Sequence, residues 1–131
     1  MLSYQQSTGE LSSDDGSIEG SGFAGNNSRH GVNPDHVPGF NNPGAQVLRK
    51  IGPLPVGLYA LAEPITHPEL GPLAFKLTPD PANQMFGRDG FWIHGASSTD
   101  PMNSSEGCIV LPHAVRARIA DSAERSLTVI R

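Results

Sequence analysis

Residues 90–112 read GFWIHGASSTDPMNSSEGCIVLP. Two short apolar runs, Phe91-Trp92-Ile93 and Cys108-Ile109-Val110-Leu111, bracket a polar loop over 95–107. Aromatic and β-branched residues suit a pleated, half-buried surface, so each run predicts a strand. The first delivers His94 at its end, and the second opens on Cys108, the only cysteine in the chain. If the two strands pair, imidazole and thiol meet across the sheet within hydrogen-bond reach. The loop between them is rich in Ser, Thr, Asp, Pro and Asn, which places it on the surface, where binding and catalytic residues collect.

A free thiol with a pKa near ~8.5 supplies only a few per cent of thiolate at neutral pH, and a neighbouring imidazole removes that shortage. Gly95 follows His94, and its carbonyl is expected to accept the other imidazole N–H and fix the tautomer. Gly107 allows a tight turn before the sulfur. The amides of Gly107 and Cys108 are the expected oxyanion donors, each typically worth about 3 kcal/mol in a transition state. Arg88, in FGRDGF, has two readings: a clamp on a substrate carboxylate, or a turn residue paired with Asp89 or Asp80. His113, five residues after Cys108, is read as solvated, with an alternative base role left open.

The order IHG, polar loop, SEGCIVLP resembles the catalytic signature of the L,D-transpeptidase (YkuD-type) superfamily, in which a strand-end His precedes a Ser-x-Gly-Cys nucleophile. The pieces YQQSTGEL, GSGFAG, NNPG, GPLPVGLYAL, LTPDP, FGRDGFWIHG and SEGCIVLP, in that order, resemble the L,D-transpeptidase effectors delivered by type VI secretion. This covers nearly the full chain. The resemblance implies a mainly β, L,D-transpeptidase-like sandwich of mixed sheets with one C-terminal-side helix and long loops, as a single catalytic domain over 1–131. It implies that Cys108 attacks the third residue, meso-diaminopimelate, of a peptidoglycan tetrapeptide stem, and that His94 protonates the departing D-Ala. Water, a free D-amino acid or another stem's amine then resolves the thioester, giving L,D-carboxypeptidase, exchange or cross-linking activity. Ser105 falls in the nucleophile motif, and Arg88, Glu106, Asn42 and Tyr59 fall on the substrate side. A metal or cofactor is not implied. Two positions depart from the superfamily pattern: Glu106 stands where a second His is usual, and Val110 and Leu111 stand where an Arg follows the Cys.

Composition bounds the alternatives. At 131 residues there is room for one domain, and 15 Gly with 12 Pro stay below the level at which disorder becomes the default. A net charge of −4 without a basic cluster argues against an electrostatic grip on nucleic acid or anionic membrane. No apolar run approaches the ~18 residues of a spanning helix. The chain as given carries no Sec signal, its first basic residue being Arg29, so an enzyme of the cell wall either reaches the periplasm by another route or has lost a leader, two readings the sequence leaves open. By resemblance, the partners are type VI delivery components and a periplasmic immunity protein. A papain-like peptidoglycan amidase or endopeptidase is the rival enzyme, weakened because His94 precedes Cys108. A non-catalytic wall-binding module with Cys108 as a small buried hydrophobe is the rival from another class. Zinc on His94, Cys108 and Glu106 or His113 matches no familiar ligand spacing.

Elsewhere, residues 1–23 read as an edge meander of three strands turning at Thr8-Gly9 and Asp15-Gly16. GSGFAG over 20–25 is a formal G-x-G-x-x-G that opens no helix, so close backbone packing or a flexible approach to the cleft is preferred to a nucleotide site. Residues 25–44 form a long loop holding His30 and His36, read as a substrate-side flap rather than a metal pair. Residues 57–63 read as a strand buried on both faces; Leu73, Phe75 and Leu77 point inward from the next. Tyr59 in the first has the buried aromatic as its alternative to the cleft. Pro112 is expected at N1 of a helix over 113–125 carrying Val115, Ile119 and Ala123 on one face and an Asp121–Arg125 pair outside. Residues 126–130 close the domain as a strand. The N-x-S sequons at Asn26 and Asn103 are discounted as glycosylation sites.

Overall fold

The computed structural model describes residues 1–27, 35–97 and 105–131. His30, Asn103 and much of the proposed flap and active-site loop lie outside the described residues. Strands β1 (Leu2–Gln5), β2 (Glu10–Ser13) and β3 (Glu19–Ser21) form the expected antiparallel meander. It is not an edge throughout. β1 pairs in parallel with β10 (Ser126–Ile130), Leu2 against Leu127 and Tyr4 against Val129, so Leu2 and Tyr4 are fully buried in mid-sheet. The remaining strands are β4 (Phe23–Ala24), β5 (Gly57–Leu61), β6 (Ile65–His67), β7 (Gly71–Pro79), β8 (Trp92–His94) and β9 (Ile109–Val110).

The strand order is β3-β2-β1-β10-β5-β7-β8-β9-β4, with β6 off this path against β7. The fold is mainly β, as expected, with parallel and antiparallel pairs in one sheet that nearly closes on itself. Strands β3 and β4 lie at opposite ends of that order yet are separated in sequence only by Gly22, so the sheet coils until its edges approach. The amide of Gly22 donates to the Gly9 carbonyl at 2.8 Å, and a Cβ on Gly22 would stand 1.8 Å from the Val110 carbonyl oxygen. Only glycine passes there. Of the two readings preferred for GSGFAG, close backbone packing is the one seen at this position.

The core joins residues from all parts of the sheet: Leu2, Tyr4, Phe75, Ile93, Ile109 and Leu127 belong to one cluster. β5 buries one face rather than two, for Leu58 and Ala60 are exposed while Tyr59 and Leu61 are buried. In β7, Phe75 and Leu77 point inward, but Leu73 takes φ +52 beside an irregularity in the β6 pairing and is only half-buried, with Ala74 buried in its place. A left-handed residue breaks the strict alternation. Helix α1 (His113–Asp121) is four residues shorter than expected, and Pro112 is its N-cap, not N1. Ser122 turns extended and Arg125 leaves the helix, donating to the carbonyls of Ile119, Ser122 and Glu124 and pairing with Glu63 instead of Asp121. Val115 and Ile119 are buried as predicted, whereas Ala123 lies beyond the helix and is exposed. Among the described residues no helix is long and apolar enough to cross a membrane.

Candidate active site

β8 and β9 pair in parallel, Ile93 with Ile109 and His94 with Val110. The Leu111 amide continues the ladder to the His94 carbonyl at 3.0 Å. Ile93 and Ile109 are fully buried on the core side and tie the two strands to the sheet. Partners in a parallel pair face the same way, and alternate residues share a face. Cys108 is a bend residue one step before β9, not its first strand residue. Carrying the register back by one residue sets Cys108 beside Trp92, two residues before His94.

The direct hydrogen bond expected between His94 and Cys108 is not formed. The half-buried thiol donates to the Gly90 carbonyl at 3.9 Å. His94 is buried and bonds through Nδ1 to the Gly95 carbonyl at 2.7 Å, the partner expected from sequence. A carbonyl only accepts, so Nδ1 carries the proton and Nε2 of the neutral ring is an acceptor. Burial depresses the His94 pKa below its ordinary value; the Gly95 carbonyl opposes this, and Arg116 and His67 add to it. Burial pushes the Cys108 thiol up to about 11, against the main-chain amide of Trp92. Glu106 raises it further, while Arg88 favours the thiolate. At neutral pH the resting pair is thiol and imidazole, not thiolate and imidazolium.

Ser105 organises the loop beneath the sulfur. It is fully buried, and its Oγ donates to the Cys108 carbonyl while accepting from the amides of Gly25 and Gly107, each at 3.0 Å. The Gly107 amide is thus committed to Ser105 rather than free for an oxyanion, which leaves the Cys108 amide as the donor from the expected pair. Gly107 holds φ +130, and a Cβ there would stand 2.6 Å from Arg88 Nη2 and 2.8 Å from the Phe91 ring. Glycine is required by conformation and by space.

Arg88 follows neither of its two readings. It is buried, and its guanidinium donates to the carbonyls of Gln46, Gly52 (2.9 Å), Pro53 (2.8 Å) and Glu106 (3.2 Å) while lying over Phe91. Burial pulls its pKa down to about 10. Four main-chain acceptors leave it no fork for a substrate carboxylate. Tyr59 is likewise a core residue, donating to the Pro55 carbonyl at 2.7 Å, and does not reach the cleft. Asn42 caps the short 3-10 turn Pro43–Ala45: its Oδ1 accepts from Gly44 and its Nδ2 donates to the Pro38 carbonyl. It is not on the wall of the cleft at Cys108. Glu106 is exposed on that wall, and His113 is exposed at the start of α1.

The cleft that reaches the sulfur is walled by Arg49, Lys50, Arg88, Asp89, Glu106 and Cys108, and His94 is not part of it. Sequence reasoning missed Arg49 and Lys50, although they are the only adjacent basic pair in the chain. It also missed Asn26, fully buried, whose Nδ2 donates to the carbonyls of Lys50 at 2.8 Å and Ser105 at 2.7 Å. Arg116 was missed as well. It is buried, donates to the carbonyls of Leu111 and Pro72, and passes beside Gly95. Nothing in a lone Asn or a helical Arg signals such placements. Among the described residues no three His, Cys, Asp or Glu side chains converge as metal ligands.

The Tlde1 domain family model matches residues 35–130. No curated protein and no solved structure matches the chain.

Proposed function

The chain belongs to the Tlde1 domain family of type VI secretion effectors, and we propose that it is an antibacterial effector; from the sequence motif and the placement of His94 and Cys108 we further propose that Cys108 performs L,D-transpeptidase-type acyl transfer on peptidoglycan tetrapeptide stems. The observation that supports this reading is the parallel pairing of β8 with β9, whose register, carried back one residue, puts Cys108 beside Trp92, two residues before His94. Diagonal neighbours on a sheet lie about 7–8 Å apart at Cα, a gap closed by a rotamer change or by one water.

Cys108 Sγ attacks the carbonyl carbon of diaminopimelate as its proton passes to Nε2 of His94. The Gly95 carbonyl on Nδ1 steadies the imidazolium that forms, and the Cys108 amide receives the oxyanion. Collapse breaks the amide bond, and the proton on Nε2 goes to the departing D-Ala amine, leaving a thioester. Water then yields a tripeptide stem, and a free D-amino acid yields an exchanged stem. Trimming and exchange are the favoured outcomes, depleting the tetrapeptide donors of a growing wall. Delivery to the periplasm of a target bacterium and neutralisation there by a cognate immunity protein complete the reading.

The test uses purified tetrapeptide muropeptides, with and without D-amino acid, followed by mass spectrometry. Wild-type protein is expected to give tripeptide or exchanged stems. Cys108→Ala is expected to abolish them, and His94→Ala to slow them by about 10²–10⁴-fold. Products that persist in Cys108→Ala overturn the nucleophile; unchanged stems with wild type overturn the enzymatic reading.

A further inference from the structure

Arg49 and Lys50 are exposed on the wall of the Cys108 cleft, and among the described residues neither joins an ion pair. Two free cations beside a sulfur are not by themselves a site, but these two are held at a set position relative to it. Lys50 sits at φ +65, a conformation a lysine rarely adopts, and its carbonyl is held by the buried Asn26 amide that also holds the Ser105 carbonyl. Just beyond the pair, Arg88 binds the carbonyls of Gly52 and Pro53 together with that of Glu106, and the Leu54 amide donates to the Gly107 carbonyl at 2.9 Å. Three independent ties therefore index the Arg49-Lys50 turn to Ser105, Glu106 and Gly107, the three residues leading into Cys108. The cleft meets the sulfur from the Gly90 end of β8, whereas His94 stands at the other end of that strand.

We propose that Arg49 and Lys50 form a carboxylate-binding subsite for the acyl-donor half of the substrate, an anionic peptide stem. This rests on the acyl-transfer reading. The group that departs takes its proton from His94 and so lies at the His94 end, which leaves the opposite cleft to the half that stays on sulfur. That half carries free carboxylates on diaminopimelate and on the γ-linked glutamate before it. Arg88, engaged by four carbonyls, supplies positive potential from below, and the exposed pair makes the contact. Glu106 and Asp89 on the same wall repel a misplaced carboxylate and suit the stem's free amine.

Binding of a tetrapeptide stem by calorimetry in a Cys108→Ala background tests the subsite independently of turnover. Arg49→Gln with Lys50→Gln is expected to weaken binding at least 10-fold, with a reduced dependence on salt, and to lose little for a stem whose carboxylates are amidated. Arg118→Gln, an exposed cation on α1, is expected to change nothing. Equal weakening for free and amidated stems, or none for either, overturns the subsite. In otherwise wild-type protein the double variant is expected to raise KM with kcat nearly unchanged. Charge-dependent binding without any turnover in wild type would sink the acyl-transfer reading and leave the subsite standing.

Discussion

At Cys108 and His94 the two displaced pKa values set the expected pH dependence. The working form is neutral thiol with neutral imidazole. His94 lies below its ordinary value because burial disfavours its charged form, so kcat/KM is expected to rise through a midpoint below 6.5 and then hold level. The thiol, pushed up to about 11, introduces no limb near neutrality. An alkaline limb above 6.5, where an imidazolium would lose its proton, would instead indicate a thiolate–imidazolium pair. Ser105→Ala strands the buried amides of Gly25 and Gly107. It is expected to cost on the order of 3 kcal/mol in a denaturant titration and to lower turnover with it. The His94–Gly95 bond was legible because it needs only adjacent residues. The four carbonyls on Arg88 were not, since three come from the 46–53 segment, distant in sequence and brought close only by the fold.

At the scale of elements, the end of α1 illustrates how a side chain bonded to the local backbone overrides a periodic reading. Apolar spacing extends the helix to 125, yet the guanidinium of Arg125 turns back onto the last carbonyls and stops it at Asp121. Cations at a helix C-terminus satisfy orphan carbonyls and complement the dipole. Arg125→Met is expected to lower stability by about 1–2 kcal/mol, read as a fall in thermal midpoint with no change in the muropeptide products. The strand β10 was placed residue for residue because alternation over 126–130 is unbroken. Leu73 was misplaced because it takes a left-handed conformation itself and leaves the alternation that Phe75 and Leu77 keep, and no local signal marks it.

Across the whole molecule, the family match begins at residue 35, but the sheet does not. β1 to β4 bring Leu2, Tyr4, Leu11 and Ile18 into the core, each at most 3 % exposed. Burial of four such side chains contributes roughly 6–12 kcal/mol, comparable with the entire stability of a small domain. A fragment spanning 35–130 is therefore expected to lack a cooperative thermal transition and near-ultraviolet dichroism. A sharp two-state melt of that fragment would show that the first strands are dispensable.

Sequence alone determined the mainly β class, the strand that carries His94, the strand that follows Cys108, and the glycine that must precede the sulfur. Those features depend on side-chain periodicity, residue volume and backbone freedom, all local properties. Only the tertiary structure decided that β8 and β9 run parallel, that Ser105 takes the Gly107 amide, and that the Arg49-Lys50 turn stands over the cleft. Each of these joins segments far apart in the chain, and their meeting is set by how the coiled sheet closes.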